Sequence, residues 1–237
     1  MATASSRSQP PNRGGEIPPL EPGDRLSRAE FERRYDAMPQ LKKAELIEGV
    51  VYVPSPVRLH RHGRPHLRLI TWIGIYEGAT PGVIGGDNTS TRLDLTNEPQ
   101  PDAVLLIDPA LGGQARISAD DYIEDAPELV AEVAASSVSF DLNAKLTIYR
   151  RNGVREYLVW RVLDRQIDWF ALRRQKYVRL PLDKTGLYRS KVFPGLWLDP
   201  AALVRGDIPA VQAALQRGLA SREHAAFVAG LNRRVQP

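Results

Sequence analysis

Two carboxylates flank apolar runs in the middle of this chain, and a lysine follows them. Pro101-Asp102 opens the run Ala103 to Ile107, and Glu132 lies inside Leu129-Val130-Ala131-Glu132-Val133. Asp141 and Lys145 come next, with Tyr149 four residues on, and Gly153-Val154-Arg155-Glu156-Tyr157 closes the stretch. Metal-dependent phosphodiester hydrolysis requires this kind of set. Hard carboxylate oxygens hold Mg²⁺, and a cation supports the scissile phosphate or the attacking water.

Each residue also has a plainer reading. Asp102 is either a strand-start residue facing a cleft or a turn aspartate after Pro101. Glu132 interrupts a segment built for burial. A buried carboxylate that loses its partner costs about 3–5 kcal/mol, so Glu132 needs a cation, a lysine or a metal unless it faces out from an edge strand. Lys145 can reach back over the strand ends from the first turns of the next helix. Alternatively it is an exposed helix lysine paired with Asp141 at i, i+4, worth a few tenths of a kcal/mol. Tyr149 shares its helix face and reads as packing. Glu45 is a third carboxylate or a solvated strand residue. His62 and His66 fall on one helical face, which superficially resembles a zinc pair. No HExxH pattern is present, and Arg58, Arg61, Arg64 and Arg68 surround them. The stretch therefore reads as a basic helix end that meets phosphate. There is no Walker loop, GxGxxG or GxSxG.

Elements must position these groups. Ser27-Arg28-Ala29-Glu30 predicts a capping box and a short helix ending near Pro39, with Phe31 and Tyr35 on one face. Glu45 to Ile47 and Val50 to Val53, joined at Glu48-Gly49, predict a hairpin that ends at Pro54-Ser55-Pro56. Leu69, Ile73 and Tyr76 predict a helix over 62–76. Thr91 to Leu95 alternates like a strand. The runs 103–107 and 129–133 suit strands covered on both faces. Ser139 or Asp141 is expected to cap a helix ending at Gly153, followed by strands over 154–162, 166–172 and 176–180. Asp207 to Leu231 predicts one amphipathic terminal helix. Hairpin-paired strands followed by a strand–helix–strand unit predict an α/β fold with one central mixed sheet flanked by helices.

The chain has 237 residues, 43% hydrophobic content, no cysteine and a net charge of +4. That suffices for one core plus extensions and excludes disulfides and Cys-ligated metal sites. Residues 1–23, rich in Ser, Pro and Gly, read as a disordered tail. No membrane span is expected, nor a secretory signal, so the expected location is cytoplasmic.

The ordered set Glu45-Leu46-Ile47-Glu48-Gly49, Ser55-Pro56, His62-Gly63, Pro101-Asp102, Glu132-Val133, Ser136, Asp141-x-x-x-Lys145, Tyr149 and Gly153-Val154-x-Glu156-Tyr157 resembles the Uma-type family of restriction endonucleases, of the PD-(D/E)XK superfamily. The resemblance covers roughly residues 24–205, leaving 206–237 as a helical extension. It implies a restriction-endonuclease-like core and hydrolysis of DNA with Mg²⁺ or Mn²⁺. Asp102 and Glu132 would hold the metal, Glu45 would assist, and Lys145 would position water or stabilise phosphate charge. The superfamily's lysine two residues after the glutamate is here Ala134, and Lys145 stands in for it. Arg58, Arg61, His62, Arg64 and Arg68 would meet nucleic acid. A non-catalytic binding or regulatory protein on the same scaffold, an RNA substrate and a homodimer stay open as alternatives, since no separate helix-turn-helix or zinc finger stands out.

Overall fold

The apolar runs become the middle of a sheet, and shorter elements lead up to it. The computed structural model describes residues 17–54 and 56–235. Residues 1–16 of the expected tail, and Ser55, lie outside that range.

Helix α1 (Arg28–Asp36) starts at Ser27, whose hydroxyl accepts from the Glu30 N–H at 3.4 Å. Only this half of the capping box forms, because Glu30 turns to Arg33 and Arg34, at 2.8 and 2.7 Å. Strands β1 (Glu45–Ile47) and β2 (Val50–Tyr52) make the expected hairpin. Glu48 and Gly49 take φ of +51° and +74°, as a tight two-residue turn of this hand requires. A wide helical turn over Leu59–Gly63 then leads into α2 (Arg64–Gly78), which buries Leu69, Ile73 and Tyr76.

Next come β3 (Val83–Asp87), β4 (Ala103–Ile107) and β5 (Leu129–Ala134). The strand expected over 91–95 shrinks to Thr91–Arg92. Asp94 ends it by drawing the Thr96 N–H and the Asn97 amide onto its carboxylate, an Asx-type turn. After β5 the chain is helical from Val138, two turns before α3 (Leu146–Asn152), with the wide turn Asp141–Lys145 between. Neither Ser139 nor Asp141 caps the helix. Ser137 holds the N-cap position and donates its hydroxyl to the Asp141 carboxylate at 2.6 Å, leaving Asp141 buried inside the helical run. Gly153, at φ +87°, ends α3 as expected.

Strands β6 (Glu156–Arg161), β7 (Gln166–Arg173) and β8 (Lys176–Arg179) complete a six-stranded sheet in the order β8-β7-β6-β5-β4-β3. Only β5 and β6 run parallel, and the segment carrying α3 is their crossover. The fold is α/β, with a central mixed sheet flanked by helices.

Helices α4 (Pro200–Arg205), α5 (Ile208–Leu219) and α6 (Arg222–Val235) follow. The single helix expected over 207–231 is thus two. Ser221 caps the second one by accepting from the His224 N–H at 3.2 Å, and the break lets Leu231 reach the core.

Strand alternation sorts the two faces. Ala103, Leu105, Ile107, Leu129, Ala131 and Val133 pack under α2 and α5, against Leu69, Trp72, Val211 and Leu215. Val104, Leu106, Val130 and Ala134 pack under α3, against Ile148 and Tyr149. Glu132 alternates with Val130 and Ala134, so it points to the α3 face. No helix among the described residues is long and apolar enough to cross a membrane.

Candidate active site

Register brings the two carboxylates together. In the antiparallel β4–β5 pair Ala103 faces Ala131, so one step outward Asp102 faces Glu132. Directly opposite residues share a sheet face. Asp102 ends the ladder by accepting the Val133 N–H on Oδ2 at 2.7 Å.

Lys145 comes down onto this face from the crossover. Its Nζ donates to Glu132 Oε1 at 2.8 Å and to Glu45 Oε1 at 2.9 Å. Its position in the wide turn Asp141–Lys145, where one extra residue per turn rotates the helix surface, aims both Asp141 and Lys145 inward. Glu45 arrives from the hairpin and is pinned by the Gln100 N–H at 2.7 Å. All four groups are almost sealed: Asp102 is 3% exposed, Glu132 and Lys145 4%, Glu45 6%. Neither the exposed-lysine reading of Lys145 nor the solvated reading of Glu45 holds.

Tyr149 does more than pack. Its hydroxyl donates to the same Glu132 oxygen as Lys145, at 2.9 Å. The helical spacing put Tyr149 on the Lys145 face, but an apolar-looking stripe conceals a hydroxyl's partner. On the other side, His62 Nε2 lies 3.2 Å from Asp102 Oδ2, while its Nδ1 is buried without a partner. His66 Nε2 lies 3.0 Å from the Asp102 carbonyl oxygen and 2.9 Å from Asp87 Oδ1. Lys43 Nζ stands 3.7 Å from Asp102 Oδ1, a neighbour whose one sequence signal is its alternation with Glu45.

Burial is the largest influence on Asp102, Glu132, Asp141 and Lys145. It pushes Glu132 up to about 8, with repulsion from Asp102, Asp141 and Glu45 adding to it and Lys145 opposing it. It also raises Asp141. For Asp102 burial is outweighed by the His62 hydrogen bond, Lys43 and the Val133 N–H, so its carboxyl lies well below the usual range. Lys145 is desolvated too, but Glu132, Glu45 and Asp141 hold its proton firmly. The centre is a fixed ammonium ringed by carboxylates, one of which, Glu132, keeps its proton up to about pH 8.

Each carboxylate commits one oxygen to protein donors. The second oxygens, Glu132 Oε2 and Glu45 Oε2, accept no hydrogen bond from the described residues and are not sealed from solvent, and Asp102 Oδ1 has only distant Lys43. Among the described residues no three His, Asp or Glu side chains already converge as a metal cluster. The oxygens on this face that could take a cation are Glu132 Oε2, Glu45 Oε2 and Asp102 Oδ1.

The predicted basic residues divide. Arg58, Arg61 and Arg64 are exposed, and none pairs with a carboxylate among the described residues. Arg68 points elsewhere and packs over Gly206. His62 joins the carboxylates. Glu128, beside the site in sequence, is structural, accepting the Gln114 and Ile107 N–H groups at 2.9 and 3.0 Å.

The Uma2 family model, described as "Putative restriction endonuclease", matches residues 28–201. The chain belongs to this family. The match takes in the hairpin, the sheet, the crossover and every site residue of this Uma2 chain, and stops before α5. Among solved structures, one described as "a putative nuclease belonging to DUF820 from Anabaena variabilis ATCC 29413" is similar, at 11% identity and a TM-score of 0.49, covering 73% of this chain and 97% of that one. No curated protein matches. As a Uma2 member the chain is nuclease-like.

Proposed function

We propose that this chain is a PD-(D/E)XK-type endonuclease that hydrolyses phosphodiester bonds in DNA with Mg²⁺ or Mn²⁺. One observation carries the reading: the Lys145 ammonium lies 2.8 Å from Glu132 and 2.9 Å from Glu45, on the sheet face that Asp102 shares. Lys145 would thereby stand in for a lysine absent from position 134. Asp102 and Glu132 would hold the ion, with Glu45 beside them. When bound, the ion supplies charge stabilisation to the phosphate oxygens. Lys145 holds Glu45 and Glu132 together against their repulsion, and it can offer an N–H to a phosphate oxygen or to the attacking water. Tyr149 and His62 fix the orientation of Glu132 and Asp102. Arg58, Arg61 and Arg64 would draw the polyanion in, with a salt-dependent affinity. The family's description as a restriction endonuclease favours DNA over RNA. Residues 24–205 would form the nuclease unit, with α5 and α6 as an extension that completes its core.

The test is cleavage of supercoiled plasmid with Mg²⁺, with Mn²⁺ and with chelator. Wild type should nick or linearise the plasmid only with metal. Asp102→Asn, which keeps the side-chain shape, should lose at least about 100-fold in rate, the scale of losing one preorganised electrostatic group. An Asp102→Asn protein as active as wild type, or wild-type protein inert with both metals, would end the proposal.

A further inference from the structure

Beside the carboxylates lies a second concavity that the phosphate chemistry leaves unused. It is an open, shallow depression of about 300 Å³ lined by Tyr35, Asp36, Met38, Ser90, Gln100 and Tyr122, among others. That is the lower end of the range for small-molecule sites. By contrast, a cavity beside Trp72 and Leu215 holds about 10 Å³, room for one water.

Three features identify its occupant. No lysine or arginine lines it, and its one charged residue is Asp36, so it does not suit a phosphate. Two tyrosines and a methionine offer flat, polarizable surface. The Arg92 guanidinium, 4.0 Å from the centre of the Tyr122 ring and tied to Asp120 at 2.9 Å, braces that ring. Gln100 then supplies a directional group. Its Nε2 donates to Ser90 Oγ at 3.2 Å, and its amide also lies beside the Tyr35 hydroxyl. Aromatic faces plus a side-chain amide are what proteins use to stack and read an unpaired base.

Position links this cavity to the proposed centre. The same Gln100 whose side chain lines the cavity donates its backbone N–H to Glu45 at 2.7 Å. Asp102 stands two residues further along, a span of about 7 Å of extended chain. We infer that this cavity binds a nucleobase, unpaired or turned out of the duplex, from a nucleotide flanking the scissile phosphate. The inference rests on the endonuclease reading above and adds a base-contacting subsite to it.

The experiment compares two probes in chelator, where no cleavage occurs: a twelve-nucleotide deoxyadenosine strand and a sugar-phosphate strand of the same length lacking bases. Stacking one base on aromatic side chains is worth a factor of about 5 to 150. Wild type should therefore bind the deoxyadenosine strand tighter by that factor. Tyr122→Leu and Gln100→Leu should each lose most of the difference while keeping the affinity for the abasic strand. That unchanged affinity shows the variants are folded. Equal affinity of wild type for both strands, or full discrimination in both variants, would overturn the subsite. If plasmid is still cleaved with metal, only the subsite falls. If neither strand binds and no plasmid is cut, the endonuclease reading falls with it.

Discussion

Replacing Lys145 by Met tests the bridge at the centre of the site. The ammonium is 4% exposed and joins two carboxylates that are themselves buried. Removing one partner of such a set costs about 3–5 kcal/mol. The lower end applies, because Glu45 keeps the Gln100 N–H at 2.7 Å and Glu132 keeps the Tyr149 hydroxyl at 2.9 Å. A domain stable by about 5–15 kcal/mol survives that loss. With a urea slope of about 2–3 kcal/mol/M, the midpoint should fall by about 1–2 M. The pH dependence carries a sign. Glu132 titrates at about 8 in the folded protein against 4.5 for a free glutamate, so the folded state binds more protons between those values and stability falls as pH rises through them. Without Lys145 that pKa rises further. The gap between Lys145→Met and wild type should therefore be wider at pH 9 than at pH 6. Adding Glu45→Gln should recover part of it. Urea unfolding followed by circular dichroism at both pH values measures this. A midpoint within about 0.3 M of wild type at pH 9 would mean that Lys145 is not in a buried bridge.

Two further outcomes follow from the same charges. Mn²⁺ should bind more tightly as pH rises from 6 to 8, because Glu132, titrating at about 8, must give up its proton to serve as a ligand; calorimetry in buffers of different ionisation heat should detect proton release, and an affinity flat across this range counts against Glu132 as a ligand. Glu156, buried in the sheet and raised to about 7 mainly by burial, should make wild type lose stability as pH rises from 4.5 through 7; Glu156→Gln, measured by urea midpoints at pH 5 and 8, should flatten that slope, and an unchanged slope would exclude Glu156 as its source.

Residues that announce themselves by conflict with their surroundings were legible in the sequence. Glu132 interrupts an apolar run, which calls for a buried partner unless the residue faces out from an edge strand. The left-handed turn at Glu48-Gly49 and the terminator Gly153 follow from local chemistry, as do strands β4 and β5. What escaped is what depends on other parts of the chain. The Val133 and Gln100 N–H groups belong to the backbone and carry no side-chain signature. Tyr149 presents an aromatic ring to pattern reading, and its hydroxyl finds Glu132 only in three dimensions. His62 follows the helical spacing that suggested a basic helix end, yet the wide turn beneath it directs it to Asp102. The break between α5 and α6 has weak signals, Gly218 in the last turn of α5 and Ser221 at the next N-cap, which the apolar spacing across them masks.

The bridge from Lys145 to Glu45 closes a separation of 100 residues. Such contacts form late, because loop-closure entropy must be overcome before they contribute. During synthesis Glu45 and Glu132 both leave the ribosome before the one ammonium that joins them. The crossover is also the only segment that makes β5 and β6 run parallel, and it delivers the lysine as it closes. Closure of the Lys145 bridge is thus coupled to completion of the sheet.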